Sequence, residues 1–352
     1  MNKANLIILI HLGIFALFSV MSCGANDNDD EADTINTFQN GLFIVNQGIS
    51  NGTDGTISFY DKDREEVAND IFASKNELPL NGILSSMTTV GNRAYIVGNS
   101  SGSLTLVESE SMEKVTEVSG FDLPRFMLPL NNSKAYVSQW GSNGSSGSIQ
   151  VFNLDNNTIT GEINTPGGAE RMLKRGNHVY VTHTGGFFLD SVITKIDITT
   201  DQIVYTIPVG ISPQSLQLDA EGALWVLAKG LETFSDSKPG TLAKIVNDEV
   251  VLSITVPLGS RDLVIDNSKT TLYYINGLNQ KVYTHKIDQN ALSLAPFSDT
   301  PVTALSFDPQ NNLVIGMDSK NFQVEGQLLF FNQMGDLTSE FEVGVVPGFI
   351  TY

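Results

Sequence analysis

Short clusters of large apolar residues recur at regular intervals along the chain, and each forms a triplet with a bulky residue at its centre. The triplets are rich in aromatic and β-branched residues and are followed by polar or glycine-rich turns, which is the pattern of buried β-strands. Neighbouring centres are 41 to 52 residues apart, with a mean of about 45. The central residues are Phe43, Tyr95, Tyr136, Tyr180, Trp225, Tyr273 and Val314.

Further predicted strands surround each triplet. One follows it and ends in a polar residue that opens a turn, as in 147–153, and a short fourth strand comes after that turn, as in 158–163. Another precedes it and often begins with proline, which a strand tolerates best at its first residue. No run of ten or more residues after the N-terminal segment has a clean helical period. This repeat predicts an all-β fold, a seven-bladed β-propeller with four antiparallel strands per blade.

The two ends of the repeat region complement each other. The first copy begins at Gly41, directly at its triplet strand, and therefore lacks an opening strand. The last copy ends near Gly344, and residues 346–352 remain as one further strand. We predict that this C-terminal strand pairs with the strand that contains Leu42 and closes the ring, because closure removes an open sheet edge that invites aggregation.

Residues 1–22 have the pattern of a lipoprotein signal peptide. Lys3 precedes a 15-residue apolar stretch, which is short for a membrane span, and Ser22 then precedes Cys23, the one cysteine of the chain. This ending resembles a lipobox, which implies cleavage before Cys23 and acylation of that residue, with palmitate for example. An ordinary secretory signal with a chance cysteine is the alternative. Two or three acyl chains would anchor the protein firmly in a membrane.

An acidic segment follows Cys23. Five of the ten residues 24–33 are acidic and no apolar cluster accompanies them, so residues 23–40 are predicted to be a lipidated, solvated tether and residues 41–352 to be the propeller. An acidic run after a lipidated cysteine resembles the surface-export signal of Bacteroidota lipoproteins, and it implies an outer-membrane anchor with the domain outside the cell. A plain periplasmic spacer is the other interpretation.

The charge balance excludes several classes of partner. The chain has 20 Lys and Arg residues against 39 Asp and Glu residues, a formal net charge of −19. Nucleic acids and anionic membrane faces are therefore poor partners, since both attract basic proteins, and membrane contact is expected only through the lipid anchor. With a single cysteine, the chain forms neither an intrachain disulfide nor a cysteine-based zinc site.

The sequence shows no catalytic motif. The histidines that follow the signal peptide are His178, His183 and His285, and they have no metal-binding spacing. No nucleophile elbow of the G-x-S-x-G type is present. We therefore predict a protein without catalytic residues, resident metal or cofactor. A propeller hydrolase or lactonase stays an alternative, because such enzymes hold a metal with acids and asparagines scattered through the sequence.

The chain resembles the YncE-like seven-bladed β-propeller lipoproteins of Bacteroidota over residues 41–352. The similarity is carried by the stretches 52–61, 94–102, 123–126 and 223–226. Within that group, proteins of the BtuG type bind cobalamin and pass it to a TonB-dependent transporter. The resemblance therefore implies a surface protein that captures a small ligand, cobalamin for example, for such a transporter. A structural or adhesive propeller that binds protein or glycan is the alternative.

Loop residues on one face of the predicted propeller form the candidate ligand-binding site. In an antiparallel blade, the residues after each triplet strand lie on the same face as the residues at the start of each opening strand. Amides, arginines and an aromatic ring suit a bulky polar ligand such as a corrinoid. In the alternative interpretation they are ordinary loop residues, with Trp140 covering glycine-rich turns and Arg125 paired with a nearby acid. The candidates are Gln47, Asn81, Asn99, Arg125, Gln139, Trp140, Arg171, His183, Phe187, Gln214, Lys229, Arg261, Asn276 and Asp318, with Asn46 and Glu170 beside them.

Overall fold

The computed structural model describes residues 37–50, 52–233 and 235–352. These residues form 29 β-strands and one short helix, α1 (Ile71–Asn76). The strands are short because turn residues interrupt the apolar pattern after every few residues. The signal peptide, Cys23 and the tether up to residue 36 lie outside the described residues, so the domain boundaries there stay predictions.

The strands form seven antiparallel blades arranged as a β-propeller, which confirms the predicted fold class. Blades 1 to 4 follow one another along the chain, and the inner strand of blade 1 comes from the C-terminus. Their strands are β1 (Gly41–Asn46), β2 (Thr56–Asp61) and β3 (Glu66–Ala68) in blade 1; β4 (Leu84–Val90), β5 (Arg93–Gly98), β6 (Ser103–Glu108) and β7 (Lys114–Ser119) in blade 2; β8 (Pro124–Pro129), β9 (Lys134–Gln139), β10 (Gly147–Asn153) and β11 (Thr158–Thr165) in blade 3; and β12 (Ala169–Arg175), β13 (His178–His183), β14 (Val192–Asp197) and β15 (Gln202–Pro208) in blade 4.

Blades 5 to 7 continue the same order, from the innermost strand outwards. Blade 5 also carries a small hairpin of two strands, β18 (Leu231–Glu232) and β19 (Ser237–Lys238). The blade strands are β16 (Pro213–Leu218), β17 (Leu224–Ala228), β20 (Gly240–Val246) and β21 (Glu249–Val256) in blade 5; β22 (Arg261–Ile265), β23 (Thr271–Ile275) and β24 (Val282–Lys286) in blade 6; and β25 (Ala304–Asp308), β26 (Leu313–Asp318), β27 (Glu325–Phe331) and β28 (Leu337–Val345) in blade 7.

The outer edge of blade 6 is less regular than that of the other blades. In place of a full fourth strand, a single bridge joins Val282 to Ser298. Pro296 and Pro301 flank this bridge, and a proline has no backbone N–H to donate to a ladder. The segment therefore covers the edge of β24 without extending the sheet.

The ring closes between the two ends of the described chain, as predicted. The last strand, β29 (Pro347–Thr351), pairs antiparallel with β1. Ile44 lies opposite Ile350, and Val45 lies opposite Phe349. β29 thus takes the innermost position of blade 1, which the first copy of the repeat lacks.

The apolar core lies between neighbouring blades. Each of seven clusters of buried side chains joins two adjacent blades. In blade 2, Ala94 and Ile96 pack toward blade 1, while Tyr95 and Val97 pack toward blade 3. Both faces of a triplet strand are therefore buried, which explains why successive triplet residues are apolar instead of alternating.

The aromatic centre of three triplets also ties its blade to the next one. Each tyrosine hydroxyl donates a hydrogen bond to an acid or amide in the outermost turn of the following blade, at a residue with left-handed backbone conformation. Aspartate and asparagine tolerate that conformation better than most residues. The pairs are Tyr95 with Asn157 at 3.0 Å, Tyr136 with Asp201, and Tyr180 with Asp248 at 2.8 Å.

Candidate functional site

The central channel opens into a cavity of about 250 Å³, which we call the channel mouth. Its walls come from the starts of the inner strands, with some residues from the adjoining loops, and most of the lining side chains are polar or charged. All seven blades contribute. The lining residues are Ser85, Arg125, Phe126, Glu170, Arg171, Gln214, Arg261, Asp262, Thr303, Ala304, Pro347 and Gly348, together with Gln47, Ser319, Phe322 and Val346.

Six of the seven inner strands carry a β-bulge where they face the channel mouth. A bulge sets one extra residue against the partner strand and redirects side chains out of the regular alternation. Polar and charged side chains therefore reach the channel from strands that also contribute residues to the core. The bulges contain Ser85, Arg125 with Phe126, Glu170 with Arg171, Gln214, Asp262 with Leu263, and Gly348, whereas β25 keeps a regular register.

Glu170 holds a charged cluster at one side of the mouth. Its carboxylate accepts hydrogen bonds of 2.8 to 3.2 Å from the guanidinium of Arg125 and another of 2.8 Å from Nε1 of Trp140. The Arg125 guanidinium also lies 4.5 Å from the centroid of the Trp140 ring, a position in which the ring attracts a cation. Arg125 and Glu170 neutralise each other, as the alternative interpretation of Arg125 holds.

Arg171 extends into the channel at the base of the mouth. Its guanidinium carbon lies 4.0 Å from the ring centroid of Phe126 and 4.9 Å from that of Phe349, so it contacts rings from two other blades. Within the described residues, the guanidinium has no hydrogen-bond acceptor and no carboxylate at ion-pair distance. Burial lowers the pKa of Arg171, and the charge of Asp262 opposes that change. Because an arginine side chain stays protonated in proteins, its N–H donors are available to a ligand.

Asp262 faces the same space from blade 6. Its Oδ2 accepts a hydrogen bond of 3.1 Å from the backbone N–H of Leu305. Burial raises the pKa of Asp262, while the charges of Arg171 and Arg261 oppose this rise. Arg261 itself is engaged elsewhere, since it donates to the backbone oxygen of Thr303 at 3.0 Å and to the side chain of Gln280.

The channel continues past Arg171 and Asp262 as a second cavity of about 290 Å³, the lower chamber. Arg171, Asp262 and Gly348 line both cavities and so mark the boundary between them. The walls of the lower chamber combine polar and apolar residues, although Leu216, Leu263, Leu305 and Ile350 also belong to the buried clusters between blades. The walls consist of Met172, Leu173, Leu216, Leu263, Val264, Leu305, Phe349 and Ile350, with Ser215, Gln217 and Ser306 as polar members.

The structure brings five of the fourteen predicted binding residues together at the channel mouth. Two further predicted residues stand beside it: Trp140 donates to Glu170, and the Phe187 ring packs edge-on against Trp140 at 5.6 Å. Phe187 is 69% exposed, and the Trp140 ring lies next to Gly186, so it covers a glycine-rich turn as the alternative interpretation holds. The five lining residues are Gln47, Arg125, Arg171, Gln214 and Arg261.

The other predicted residues lie outside the channel lining and have local roles. His183 and Gln139 are buried and bond to Thr194 and Ser148 on the neighbouring strands of their own blades. The side chains of Asn276 and Asp318 accept hydrogen bonds from the backbone two residues later, which shapes their loops. Asn99 donates to the backbone oxygen of Pro124, and Asn81 and Lys229 are exposed.

Sequence reasoning missed three residues that shape the site: Phe126, Asp262 and Phe349. Regular alternation places neighbours on opposite faces of a strand, so Phe126 was not expected beside Arg125, nor Asp262 beside Arg261. One signal was present, since Pro124, Pro213 and Pro347 each stand directly before a bulge. Proline at a strand start therefore marks three of the six bulges.

The buried ring of His183 predicts an acid-sensitive contribution to stability. Burial lowers the pKa of His183 from 6.5 to about 3. Between these values the unfolded chain binds more protons than the folded chain, so this residue makes the free energy of unfolding rise with pH, by about 1.4 kcal/mol per unit. We expect His183→Gln to lose less stability than the parent between pH 6.5 and pH 3 in urea unfolding. If the free energy of unfolding falls equally with decreasing pH in the two proteins, this assignment is wrong.

Within residues 37–50, 52–233 and 235–352, no three His, Cys, Asp or Glu side chains are grouped closely enough to hold a metal ion. The same residues include no helix with the length and apolar character needed to cross a membrane. The acidic residues that line the channel mouth are Glu170 and Asp262, and each interacts with an arginine.

Several solved structures have the same fold. A quinonprotein alcohol dehydrogenase-like protein from Bacteroides thetaiotaomicron is 16% identical with a TM-score of 0.66, over 90% of this chain and 79% of its own. A functionally unknown protein from Desulfotomaculum acetoxidans is 12% identical with a TM-score of 0.65, over 89% and 98%. The periplasmic gluconolactonase PpgL from Pseudomonas aeruginosa is 12% identical with a TM-score of 0.62, over 88% and 98%. At these identities the likeness concerns the fold alone.

The sequence comparisons assign the family. No curated protein matches this chain. The model of one family, described as a domain of unknown function, DUF5074, matches residues 40–336 and therefore nearly all of the propeller. The chain belongs to the DUF5074 family and folds as a seven-bladed β-propeller.

Proposed function

We propose that this protein is a binding protein whose channel mouth captures a small ligand with an anionic group. The observation that supports it is Arg171, a half-buried guanidinium that lines the channel mouth with two aromatic contacts and no acceptor among the described residues. A partly buried charge without a partner is less stable than one that is paired. A guanidinium can donate two parallel hydrogen bonds to a carboxylate or phosphate, which would satisfy that charge. The proposal assigns binding, and no catalysis, to the site.

The size of the site favours a small ligand. Pockets for drug-sized molecules measure roughly 300–1,000 Å³, and the mouth of about 250 Å³ and the lower chamber of about 290 Å³ together lie in the lower half of that range. A corrinoid is larger than either cavity and would have to lie across the mouth. Cobalamin, which the resemblance to the BtuG type implies, is therefore one ligand to test among smaller ones.

A thermal-shift screen of the propeller tests the proposed function. The panel contains phosphate, sulfate, gluconate, citrate, amino acids and cyanocobalamin. A ligand at 100 times its dissociation constant adds about 2.7 kcal/mol to the free energy of unfolding, which raises the melting temperature measurably. The proposal fails if the ligands that stabilise the parent stabilise an Arg171 variant equally well.

Replacement of Arg171 should abolish most of the binding. Arg171→Met keeps a long side chain between the rings of Phe126 and Phe349 but removes the charge and the donors. We expect calorimetry to show at least tenfold weaker binding of any ligand found in the screen, because a charge-assisted hydrogen bond contributes about 1.5–3 kcal/mol. Lys229→Met is the matched control, since it removes one exposed positive charge outside the lining. Equal losses in both variants would point to long-range charge instead of the site.

The cellular setting is also a proposal and rests on the sequence. We expect a lipid on Cys23, an outer-membrane anchor and a domain that faces outwards, with a TonB-dependent transporter as the partner that the resemblance implies. Cys23→Ala should release the protein from the membrane fraction of cells. Protease treatment of intact cells should degrade the parent protein. A membrane-bound Cys23→Ala variant would contradict the anchor, and protection from protease would contradict the outward orientation.

A further inference from the structure

The channel holds one positive and one negative side chain that face the same space without pairing. Arg171 and Asp262 come from blades 4 and 6, and both line the mouth and the lower chamber. They interact through their charges, yet within the described residues they form no ion pair, and one oxygen of Asp262 accepts no hydrogen bond. By contrast, Arg125 and Glu170 in the same mouth form a hydrogen-bonded ion pair.

This open pair restricts the ligands that fit. A simple anion would satisfy Arg171 but would leave the Asp262 carboxylate facing another negative group. A simple cation would satisfy Asp262 and would face Arg171. Only a ligand that carries both charges compensates both half-buried groups. We infer that the site binds a zwitterion, with its carboxylate on Arg171 and its ammonium group on Asp262. This inference rests on the proposed function.

The lower chamber indicates the rest of the ligand. Leu216, Leu263 and Ile350 are buried in the clusters between blades, so the apolar side chains that a ligand can meet in this space are the half-buried ones of Met172, Val264 and Phe349. An apolar group placed there is removed from water, which stabilises the complex by roughly 25 cal/mol per Å² of apolar surface in general. The chemistry that matches all three parts is an α-amino acid with an apolar side chain.

The net charge of the chain favours the same class. A formal charge of −19 repels free anions from the surface at low ionic strength. A zwitterion has no net charge and approaches without that repulsion. The two local charges then act only at short range, inside the channel.

Calorimetry with three matched compounds tests the inference. L-Leucine carries both charges, 4-methylpentanoate lacks the ammonium group, and 3-methylbutylamine lacks the carboxylate. We expect L-leucine to bind roughly ten- to a hundredfold more tightly than either analogue, as the loss of one charge-assisted contact implies. Asp262→Asn, which keeps the shape of the side chain, should bring L-leucine and 4-methylpentanoate to similar affinities. Circular dichroism and melting of Asp262→Asn confirm that the variant is folded.

The outcomes separate this inference from the proposed function. If 4-methylpentanoate binds the parent as tightly as L-leucine, the zwitterion is wrong although an anion site exists. If none of the three compounds binds, the inferred class is wrong, and the broader anion screen with Arg171→Met still decides the proposed function. If Asp262→Asn fails to fold, Asp262→Gly replaces it, because glycine suits the left-handed backbone at this position and removes the carboxylate, and unchanged discrimination in that variant overturns the role of Asp262. Tighter binding of glycine than of L-leucine would overturn the apolar chamber as part of the site.

Discussion

Deletion of residues 346–352 should remove most of the stability of the propeller. The deletion takes away β29, exposes the inner edge of β1 and opens the ring. It also removes the buried side chain of Ile350 from the cluster between blades 1 and 7 and that of Phe349 from the channel. Loss of a buried aliphatic side chain alone costs about 2–5 kcal/mol, a large share of a total that is roughly 5–15 kcal/mol. We therefore expect urea unfolding to show a loss of about 5 kcal/mol or more.

A peptide added in trans makes this test specific. A synthetic peptide of residues 346–352 can occupy the vacant position beside β1, because main-chain hydrogen bonds from an exposed edge recruit an added strand. Its stabilisation should grow with the logarithm of its concentration, and a scrambled peptide should have no effect. Unchanged melting of the shortened chain would contradict closure by this strand.

The blades could be predicted from the sequence because each strand is marked by its own short apolar pattern. A triplet such as Ala94, Tyr95 and Ile96 is apolar at every position since both faces of β5 are buried. The closing strand was predictable for a similar reason, since the first copy of the repeat lacked an opening strand and one strand was left over after the last copy. The irregular edge of blade 6 was not predicted, although Pro296 and Pro301 already disfavoured a regular strand there.

The channel mouth was predictable only in part because it depends on register. Arg125, Arg171 and Arg261 were found since they stand at strand starts, where the face of the fold follows from the topology. Phe126 and Asp262 were missed since a bulge places them beside their neighbours. Which arginine keeps free donors was also beyond sequence reasoning, because Glu170 pairs with Arg125 and leaves Arg171 without an acceptor.

Truncation of Glu170 should destabilise the fold strongly, even though the residue lies at the candidate site. Its carboxylate is the partner of Arg125 and also accepts from Trp140, and its side chain is only 10% exposed. Removal of one partner of a largely buried ion pair costs about 3–5 kcal/mol, because the remaining charge stays uncompensated. We expect Glu170→Ala to lose about 3 kcal/mol in urea unfolding. Glu170→Gln should lose less, since the amide oxygen still accepts from Trp140.

A double-mutant cycle separates the pair from the packing around it. Arg125→Met combined with Glu170→Met should be less destabilised than the sum of the two single variants, because no charge is left unpaired. The exposed pair of Lys114 and Glu117, also 2.8 Å apart, is the matched control, and Glu117→Ala should cost only about 0.2–1 kcal/mol. Additive losses for Arg125 and Glu170 would show that the pair contributes no coupling. Strong coupling would mean that Glu170 stabilises the fold mainly through its ion pair with Arg125.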